Sequence, residues 1–263
     1  MTTFIDGEPA DAATLARMAQ FNFGHFTSMQ VRDAAVRGLD LHMARLVRDA
    51  REVFDATLDP LLIRQFVRVA LGAQHDAAVR VAVFARNWNL RQIDVQARLS
   101  VMVSVAAPQQ SSAKPLRLMS MEHERFLPHV KHSATFDLFT LRRRARMDGF
   151  DDALIVDRHG LVCEGATWNI GFFDGRKVVW PQAARLEGVT MQLLRRGLEA
   201  EGIVSSLRPV PLAQVRDYTM AFACNAGTVA QPVARIGEVA FATDADFIAR
   251  LVRGFERQPM QPL

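Results

Sequence analysis

Residues 126–173 form the segment of the sequence that most restricts the possible folds. A proline turn comes first, with Lys131 directly after it, and a stretch with helical spacing follows over 133–147. Two apolar runs, 153–156 and 161–163, then flank a short polar turn that ends in Gly160, where glycine can adopt the positive φ that such turns need. A lysine turn, a helix and a strand–turn–strand hairpin in one continuous segment predict a mixed α+β fold.

Lysine is scarce in this chain, which gives weight to the positions where it occurs. The sequence has 32 basic residues, and all are arginine except Lys114, Lys131 and Lys177. Arginine stays protonated and cannot form an imine, whereas a partly buried lysine can lose its proton and attack a carbonyl. Lys114 lies in a polar linker and Lys177 in a hairpin, where chance retention is sufficient explanation. Lys131 is therefore the candidate for covalent chemistry.

The pattern along the chain predicts two α+β domains. The clearest break is the polar stretch 108–115, PQQSSAKP, which is typical of a linker. We place the boundary there, with an N-terminal α/β domain at 1–112 and a C-terminal domain at 113–263 that carries Lys131. The elements predicted with the most regular spacing are helices at 40–54, 60–71, 133–147 and 188–200 and valine-rich strands at 78–85 and 99–106.

Composition disfavours several classes of protein. The net charge of +4 is small for 263 residues, and the densest basic run, 142–144, lies on a predicted helix, so nucleic-acid binding is not expected. Cys163 and Cys224 lie far apart in apolar segments, which suits reduced thiols better than a disulfide framework. No apolar run approaches membrane-spanning length, and no signal peptide precedes the first strand. We expect a soluble cytoplasmic protein without a metal site.

Three features of the C-terminal half would suit pyridoxal 5'-phosphate (PLP). This cofactor needs a lysine for its imine (Schiff base), a group that sets the protonation of its pyridine nitrogen, and a cradle for its phosphate. Glu164, at the end of the hairpin, could hold the pyridine nitrogen. The predicted helix that begins at 188–190 offers unpaired backbone N–H groups to an anion. Asn225, in a turn of small residues, could add one more donor.

Taken together, these segments resemble the class IV (fold-type IV) PLP enzymes, which include branched-chain aminotransferases, D-amino-acid aminotransferases and aminodeoxychorismate lyase. The resemblance covers about 21–236 and follows the family's order. The matching segments are GHFTSMQV, LHMARL, LPHVKHS, DDALIVDRHGLVCEGATWNIGFF, LEGVT and ACNAGTVAQPVARIG.

The resemblance assigns roles to individual residues and implies an architecture. It makes Lys131 the catalytic lysine and Glu164 the pyridine partner, with the cofactor between the two domains of a homodimer. Thr167 and Asn169 are the small polar residues that usually follow the glutamate. Alone, Arg45 would be read as a solvent-facing helix residue; the match of LHMARL makes it the phosphate arginine. The residues assigned to the cofactor are Arg45, Lys131, Glu164, Val189, Thr190 and Asn225.

Four positions depart from the usual aminotransferase pattern. Phe136 stands where a tyrosine commonly lies near the ring hydroxyl, and it cannot donate a hydrogen bond. Met191 replaces the arginine that usually continues the phosphate loop, and Gln30 replaces an arginine on the first strand. The sequence Cys224-Asn225-Ala226 is more similar to the lyase pattern.

The leading hypothesis from the sequence is a PLP-dependent aminotransferase that acts between an amino acid and a 2-keto acid. Substrate contacts are expected from Ser28 and from Arg86 or Arg91, which flank the Trp88 loop and could bind the carboxylate. One alternative is a PLP-dependent lyase that releases pyruvate from an aminodeoxychorismate-like substrate, with Ser28 or Thr27 assisting proton transfer. A more distant alternative is a non-catalytic member of the fold with a binding role.

Overall fold

The structure is a computed structural model that describes all residues, Met1–Leu263. Packing divides the chain into two compact units. The first unit comprises Met1–Gln109, Val130–Ala134 and Pro259–Leu263, and the second comprises Gln110–His129 and Thr135–Gln258. The division at 109/110 lies close to the predicted linker. Lys131, which the sequence-based division placed in the C-terminal domain, packs here with the first unit.

The first unit is built on a five-stranded antiparallel sheet with the order β2-β1-β6-β5-β3. A separate two-stranded ladder joins β4 to β16, which is far from it in the sequence. Its elements are β1 (Thr2–Ile5), β2 (Glu8–Pro9), α1 (Ala12–Gln20), β3 (Gly24–Val31), β4 (Ala35–Arg37), α2 (Leu39–Phe54), α3 (Pro60–Leu71), β5 (Ala77–Ala85), β6 (Leu99–Ala106) and β16 (Met260–Pro262).

Helices α2 and α3 bury their apolar faces in the core of this first unit. Leu46 of α2 and Val67 of α3 are fully buried in the same hydrophobic cluster as the valines of β5 and β6, as the predicted apolar spacing requires. The sequence predicted both helices. Helix α2 starts one residue earlier than expected because Gly38, with φ 70°, adopts the left-handed conformation before the first turn.

The second unit contains a nine-stranded mixed sheet, in which β15 pairs with β14 beside the path β12-β11-β10-β13-β14-β7-β8-β9. Its elements are β7 (Leu116–Glu122), α4 (Phe136–Met147), β8 (Asp152–Val156), β9 (Val162–Gly165), β10 (Asn169–Phe173), β11 (Lys177–Pro181), α5 (Val189–Ala200), β12 (Val204–Arg208), a 3₁₀ segment (Leu212–Asp217), β13 (Met220–Cys224), β14 (Gln231–Ile236), β15 (Val239–Ala240) and α6 (Ala245–Glu256). Both hairpins predicted from the sequence, β8–β9 and β10–β11, are present.

Helix α4 begins at Phe136, three residues later than the predicted start at Ser133. The reason is that the backbone of the preceding residues bonds elsewhere. His132 forms a bridge with His25 of β3, and Ser133 N donates to Gly24 O at 2.7 Å. These strand-like bonds hold the backbone at His132 and Ser133 beside β3, and the helix begins only after this segment.

None of the six helices combines the length and the apolar character that crossing a lipid bilayer requires.

Candidate active site

The backbone of the Lys131 turn is held on both sides of the lysine by the first unit. Lys131 O accepts a hydrogen bond from Phe26 N at 2.9 Å, and Gly24 O accepts one from Ser133 N. Lys131 N donates to Oδ2 of the fully buried Asp49 at 3.0 Å. Nζ of Lys131 lies 4.8 Å from the centroid of the Phe26 ring. The turn is therefore fixed by strand-like bonds to β3 and by one buried carboxylate, which set the position of the lysine main chain.

Gly24 is required for this arrangement because β3 passes close to β5 at that point. A Cβ atom on Gly24 would collide with the carbonyl oxygen of Val83. Since Gly24 O also accepts the bond from Ser133, any side chain here would displace the strand that holds the lysine turn.

Helix α2 carries a buried polar cluster beside the lysine turn. Arg45, which is 6% exposed, donates to Thr27 Oγ1 at 3.5 Å. Thr27 Oγ1 also lies 2.6 Å from His42 Nδ1. Arg45 and Asp49 are one helical turn apart and lie on one face of α2. Reading Arg45 as an ordinary surface arginine is therefore wrong, because a guanidinium is buried only where anions or acceptors compensate it.

Two buried histidines in this cluster are held in the neutral form. Burial lowers the pKa of His42 to about 3, with smaller contributions from the positive charges of Arg45 and Lys131. Burial also lowers the pKa of His25 to about 4, partly offset by the negative charge of Asp49. Neither ring nitrogen of His25 has a hydrogen-bond partner. At neutral pH, His25 and His42 therefore add no positive charge to this cluster.

In the second unit, Glu164 is buried and held by its side chain. Its Oε1 atom accepts hydrogen bonds from Arg125 Nη1 at 2.7 Å and from Leu186 N at 3.1 Å. The Arg125 and Glu164 side chains are 7% and 6% exposed. Arg125 also donates to Pro128 O at 3.1 Å, on the segment that leads to Lys131. A buried, charge-assisted pair of this kind fixes the carboxylate in one orientation.

The loop before α5 is fixed by Asn169. Its Nδ2 atom donates to Leu186 O at 2.7 Å, and its Oδ1 atom accepts from Gly188 N at 3.1 Å. A side chain at Gly188 would collide with Asn169 Oδ1. The same loop donates Leu186 N to Glu164, so the carboxylate and the helix start belong to one hydrogen-bonded assembly. Helix α5 has no side-chain cap, so no capping side chain accepts from the N–H groups of its first turn, and an uncapped helix start of this kind can bind an anion.

The chain matches the family model described as "Amino-transferase class IV" over residues 24–236. The chain belongs to this family. It is 24% identical to a "Probable branched-chain-amino-acid aminotransferase" of Rickettsia bellii (strain RML369-C), over 88% of this chain and 85% of that protein. As a class IV aminotransferase, it is an enzyme of the transaminase class.

Two solved structures illustrate the fold. The branched-chain aminotransferase of Thermobaculum terrenum in its PLP form is 16% identical, with a TM-score of 0.84 over 97% of this chain and 92% of that one. A putative 4-amino-4-deoxychorismate lyase of Legionella pneumophila is also 16% identical, with a TM-score of 0.81 over 92% and 94%. The predicted α+β fold of the fold-type IV enzymes is confirmed.

The residues of this class IV aminotransferase fit PLP. Glu164 is held in place by Arg125, as a partner for a protonated pyridine nitrogen would need to be. Val189 and Thr190 open α5 as buried residues at an uncapped helix start. The loop before them leaves no space for a side chain at Gly188. PLP needs an anionic partner for its pyridine nitrogen and N–H donors for its phosphate, and these residues are of those kinds. Their roles toward the cofactor stay predictions.

Asn225, the remaining residue assigned to the cofactor, is engaged within its own turn. Its Oδ1 atom accepts from Gly227 N at 2.9 Å and from Thr228 N at 3.0 Å. Its Nδ2 atom donates to Thr167 O at 3.4 Å. Asn225 therefore shapes the turn that follows β13, and its assignment to the phosphate stays a prediction.

The positions that depart from the aminotransferase pattern have structural explanations in two cases. Met191 is 1% exposed and packs in the core of the second unit, where an arginine would be costly. Gln30 Oε1 accepts from Gln109 N at 3.1 Å and from Arg32 Nη2 at 3.3 Å. Phe136 is the first residue of α4, and 85% of it is exposed.

The predicted substrate residues lie in different surroundings. Ser28 is half-buried on β3. Arg86 forms an ion pair with Asp6, with 2.7 Å between Nη2 and Oδ2, and donates Nε to Ser100 Oγ at 2.9 Å. Arg91 is exposed in the loop between β5 and β6. The assignments of Ser28, Arg86 and Arg91 to the substrate stay predictions.

Sequence reasoning missed the two residues that orient the proposed lysine and glutamate, Asp49 and Arg125. Asp49 could have been found, because it follows Arg45 by four residues on the face of α2 that also carries the apolar core residues, where a carboxylate needs a buried partner. Arg125 had no comparable signal. It lies in an irregular segment, and its pairing with Glu164 spans 39 positions of the sequence.

Proposed function

We propose that this protein is a PLP-dependent aminotransferase that transfers an amino group between an amino acid and a 2-keto acid. The observation that supports it most is the backbone fixation of Lys131, whose N–H is bonded to buried Asp49 and whose carbonyl is bonded to β3. A lysine whose main chain is fixed in this way has a defined point of attachment, and its flexible side chain still lets the amine move, as a covalent catalyst requires.

In the proposed reaction, each of the assigned residues has a separate role. Lys131 would hold the cofactor through its amine and would move the proton at the substrate's α-carbon, as general base and acid. Glu164 would keep the pyridine nitrogen protonated. Arg45, Val189, Thr190 and Asn225 would hold the phosphate. When bound, PLP supplies the electron sink for the chemistry at the amino group.

The test is covalent labelling at a defined lysine. Purified protein supplemented with PLP is reduced with borohydride, digested and analysed by mass spectrometry, beside Lys131→Ala and a control variant, Lys114→Ala, whose side chain is 76% exposed. We expect a cofactor adduct on the peptide with Lys131 in the wild type and in the control, and none in Lys131→Ala. Absence of an adduct in the wild type would contradict the proposal and favour a binding role.

A second assay separates the aminotransferase from the lyase. Loss of the cofactor band on addition of an amino acid, and its return on addition of a keto acid, is expected from a panel of L- and D-amino acids. The lyase is supported by the sequence Cys224-Asn225-Ala226 and by the absence of a phenol at Phe136. It would release pyruvate without any amino acceptor, which would overturn the transaminase assignment.

We also propose that the protein is a cytoplasmic homodimer. Phe126 and Phe136 are 82% and 85% exposed in the isolated chain, and large exposed aromatic side chains are typical of contact surfaces. Both cysteines are buried and unpaired, which suits a reducing compartment. Light scattering coupled to gel filtration measures the mass directly. A monomer at micromolar concentration would contradict the dimer.

A further inference from the structure

The second unit contains a pocket of about 540 Å³ beside helix α4. This volume is in the range of pockets that bind small molecules. Of the residues assigned to the cofactor, only Asn225 lines it. Whether the pocket can hold a ligand depends on which of its charged groups are already bonded within the chain. These charged lining residues are Lys114, Arg142, Arg146, Asp151 and Asp152.

Both carboxylates of the pocket are bonded to donors of the chain. Asp151 Oδ2 accepts from Arg117 N and Nε at 2.9 and 3.0 Å, and Lys114 Nζ lies 3.5 Å from Oδ1. The hydrogen bond from Arg117 lowers the pKa of Asp151 to about 2, so this carboxyl group is ionised at neutral pH. Asp152 accepts from Trp168 Nε1 and from the next backbone N–H, each at 2.8 Å. These carboxylates therefore have few free acceptor positions for a cation.

Arg142 is fixed by the same network and keeps donors for another molecule. Its Nε atom donates to the two oxygens of Asp152 at 3.0 and 3.1 Å. Its Nη2 atom donates to Asp152 Oδ2 at 2.9 Å and to Thr167 Oγ1 at 2.6 Å. The side chain is 18% exposed, and Nη1 makes no hydrogen bond within the chain. A guanidinium that is fixed along one edge loses little further entropy when its remaining N–H groups bind a ligand.

Arg146 adds further donors on the same side of the helix. It lies one helical turn after Arg142 on α4, so the two side chains are neighbours. Its Nε atom donates to Asp151 O at 3.2 Å, and its two terminal nitrogens make no hydrogen bond within the chain. The pocket therefore has cationic donors without partners, whereas its carboxylates are occupied. Charge-assisted bonds from such donors suit an oxyanion.

We propose that this pocket binds the phosphate or carboxylate group of a small molecule through Arg142 and Arg146. The bound group would be a second anion, in addition to the cofactor phosphate. Hydrogen bonds link the pocket to the turn after β13, because Arg142 donates to Thr167 Oγ1 and Thr167 O accepts from Asn225 Nδ2. The pocket lies wholly in the second unit, and its donors do not depend on the role proposed for Lys131.

The experiment measures binding of two anions to the holoenzyme, in which PLP occupies its own phosphate site. Inorganic phosphate and succinate are titrated by calorimetry at constant ionic strength, so that general screening of charge is the same throughout. The variants are Arg146→Met and Arg142→Lys. Lysine is chosen at 142 because methionine would leave the buried Asp152 carboxylate without its cation.

The matched control is Arg143→Met. Arg143 belongs to the same basic run and the same helix, but it is exposed and does not line the pocket. The control therefore removes the same charge as Arg146→Met without removing a donor of the pocket. Thermal unfolding and the borohydride adduct on Lys131 are measured for each variant.

We expect saturable anion binding to the wild type and to Arg143→Met with the same affinity. Arg146→Met should bind about 10-fold more weakly, as expected when a hydrogen bond to a charged group is lost. Arg142→Lys should also bind more weakly, because an ammonium that pairs with Asp152 cannot reproduce the planar fork of donors. A purely structural Arg142 would lower the melting temperature in Arg142→Lys without changing the anion affinity of either variant.

The two probes distinguish the two kinds of ligand. Tighter binding of phosphate than of succinate would support a phosphorylated ligand, and the reverse order a carboxylate. Equal affinities in Arg146→Met, Arg142→Lys and Arg143→Met would overturn this inference, as would the absence of saturable binding to the wild type. Absence of the Lys131 adduct would contradict the proposed function alone, and the comparison of Arg146→Met with Arg143→Met would still test the pocket.

Discussion

Lys131 and Glu164 are fixed in opposite ways. The lysine is held through its backbone, by β3 and by the carboxylate of Asp49, and the cluster around it is rich in buried polar groups. The glutamate is held through its side chain, by the guanidinium of Arg125 and one backbone N–H. A nucleophile must move during catalysis, so fixing only its main chain leaves the amine able to rotate. A carboxylate that only sets the charge of a ring can be fixed at the reacting group itself.

Arg125→Met should show the largest effect, because the charge pair in the second unit is buried. Removing one partner of such a pair leaves an uncompensated carboxylate and costs about 3–5 kcal/mol. Urea unfolding followed by circular dichroism measures the loss. The control is Arg158→Met, whose pair with Glu124 is exposed and should contribute under about 1 kcal/mol.

A double variant sharpens this first prediction. The variant that combines Arg125→Met with Glu164→Gln has neither charge of this pair. Part of the stability lost in Arg125→Met should therefore return. Equal losses in Arg125→Met and Arg158→Met would mean that the side-chain fixation of Glu164 contributes nothing.

Asp49→Asn should have a smaller effect, about 1–3 kcal/mol. Asp49 accepts on one oxygen from Lys131 N and on the other from Arg48, at 2.8 and 2.5 Å. An amide can accept on only one side, so one donor loses its partner. Hydrogen exchange should be faster at the Lys131 amide. Asp40→Asn, at an exposed position of the same helix, is the control, and equal exchange rates in the two variants would refute backbone fixation by Asp49.

At neutral pH, the smallest effect on stability is expected from His25. Its contribution is a change in how the unfolding free energy depends on pH. The pKa of its buried imidazole falls from an ordinary 6.5 to about 4 in the folded protein. Between these values the unfolded chain binds more protons, so stability decreases as the pH falls from 6.5 towards 4, by up to about 1.4 kcal/mol per pH unit. His25→Leu should flatten the slope of unfolding free energy against pH. His159→Leu, in an exposed turn, serves as the control, and an unchanged slope in His25→Leu would contradict the assignment.

The parts of the fold that were predictable are those with local signals. The hairpin β8–β9 follows from apolar runs around a glycine turn, and α2 and α3 follow from apolar spacing. The start of α4 was predicted too early because Ser133 bonds to Gly24, more than a hundred positions away. No local pattern reports such a pairing, and the helix propensity of 133–135 could not compete with it.

The residues of the candidate site can also be separated into those with a local sequence signal and those defined by long-range contacts. Lys131 and Glu164 were found because their residue types are rare or restricted at those positions and lie in family motifs. Asp49 and Arg125 make long-range contacts that define their roles, so their identities alone say little. Arg80, the one charged residue of β5, combines a local signal with a long-range contact, because its Cζ atom lies 3.5 Å from the centroid of the Phe26 ring. A single arginine in an apolar strand was visible in the sequence, but its stacking on Phe26 depends on the register of β3 against β5.

The pairing of β16 with β4 has a consequence for synthesis of the chain. Met260 lies opposite Arg37 and Pro262 opposite Ala35, so the first unit joins two segments that the whole second unit separates in the sequence. On the ribosome, that ladder cannot form until residues 260–262 have emerged, although domains generally fold as they emerge. A fragment that stops at the linker would lack both β16 and the lysine turn. Completion of the first unit therefore waits for synthesis of the second.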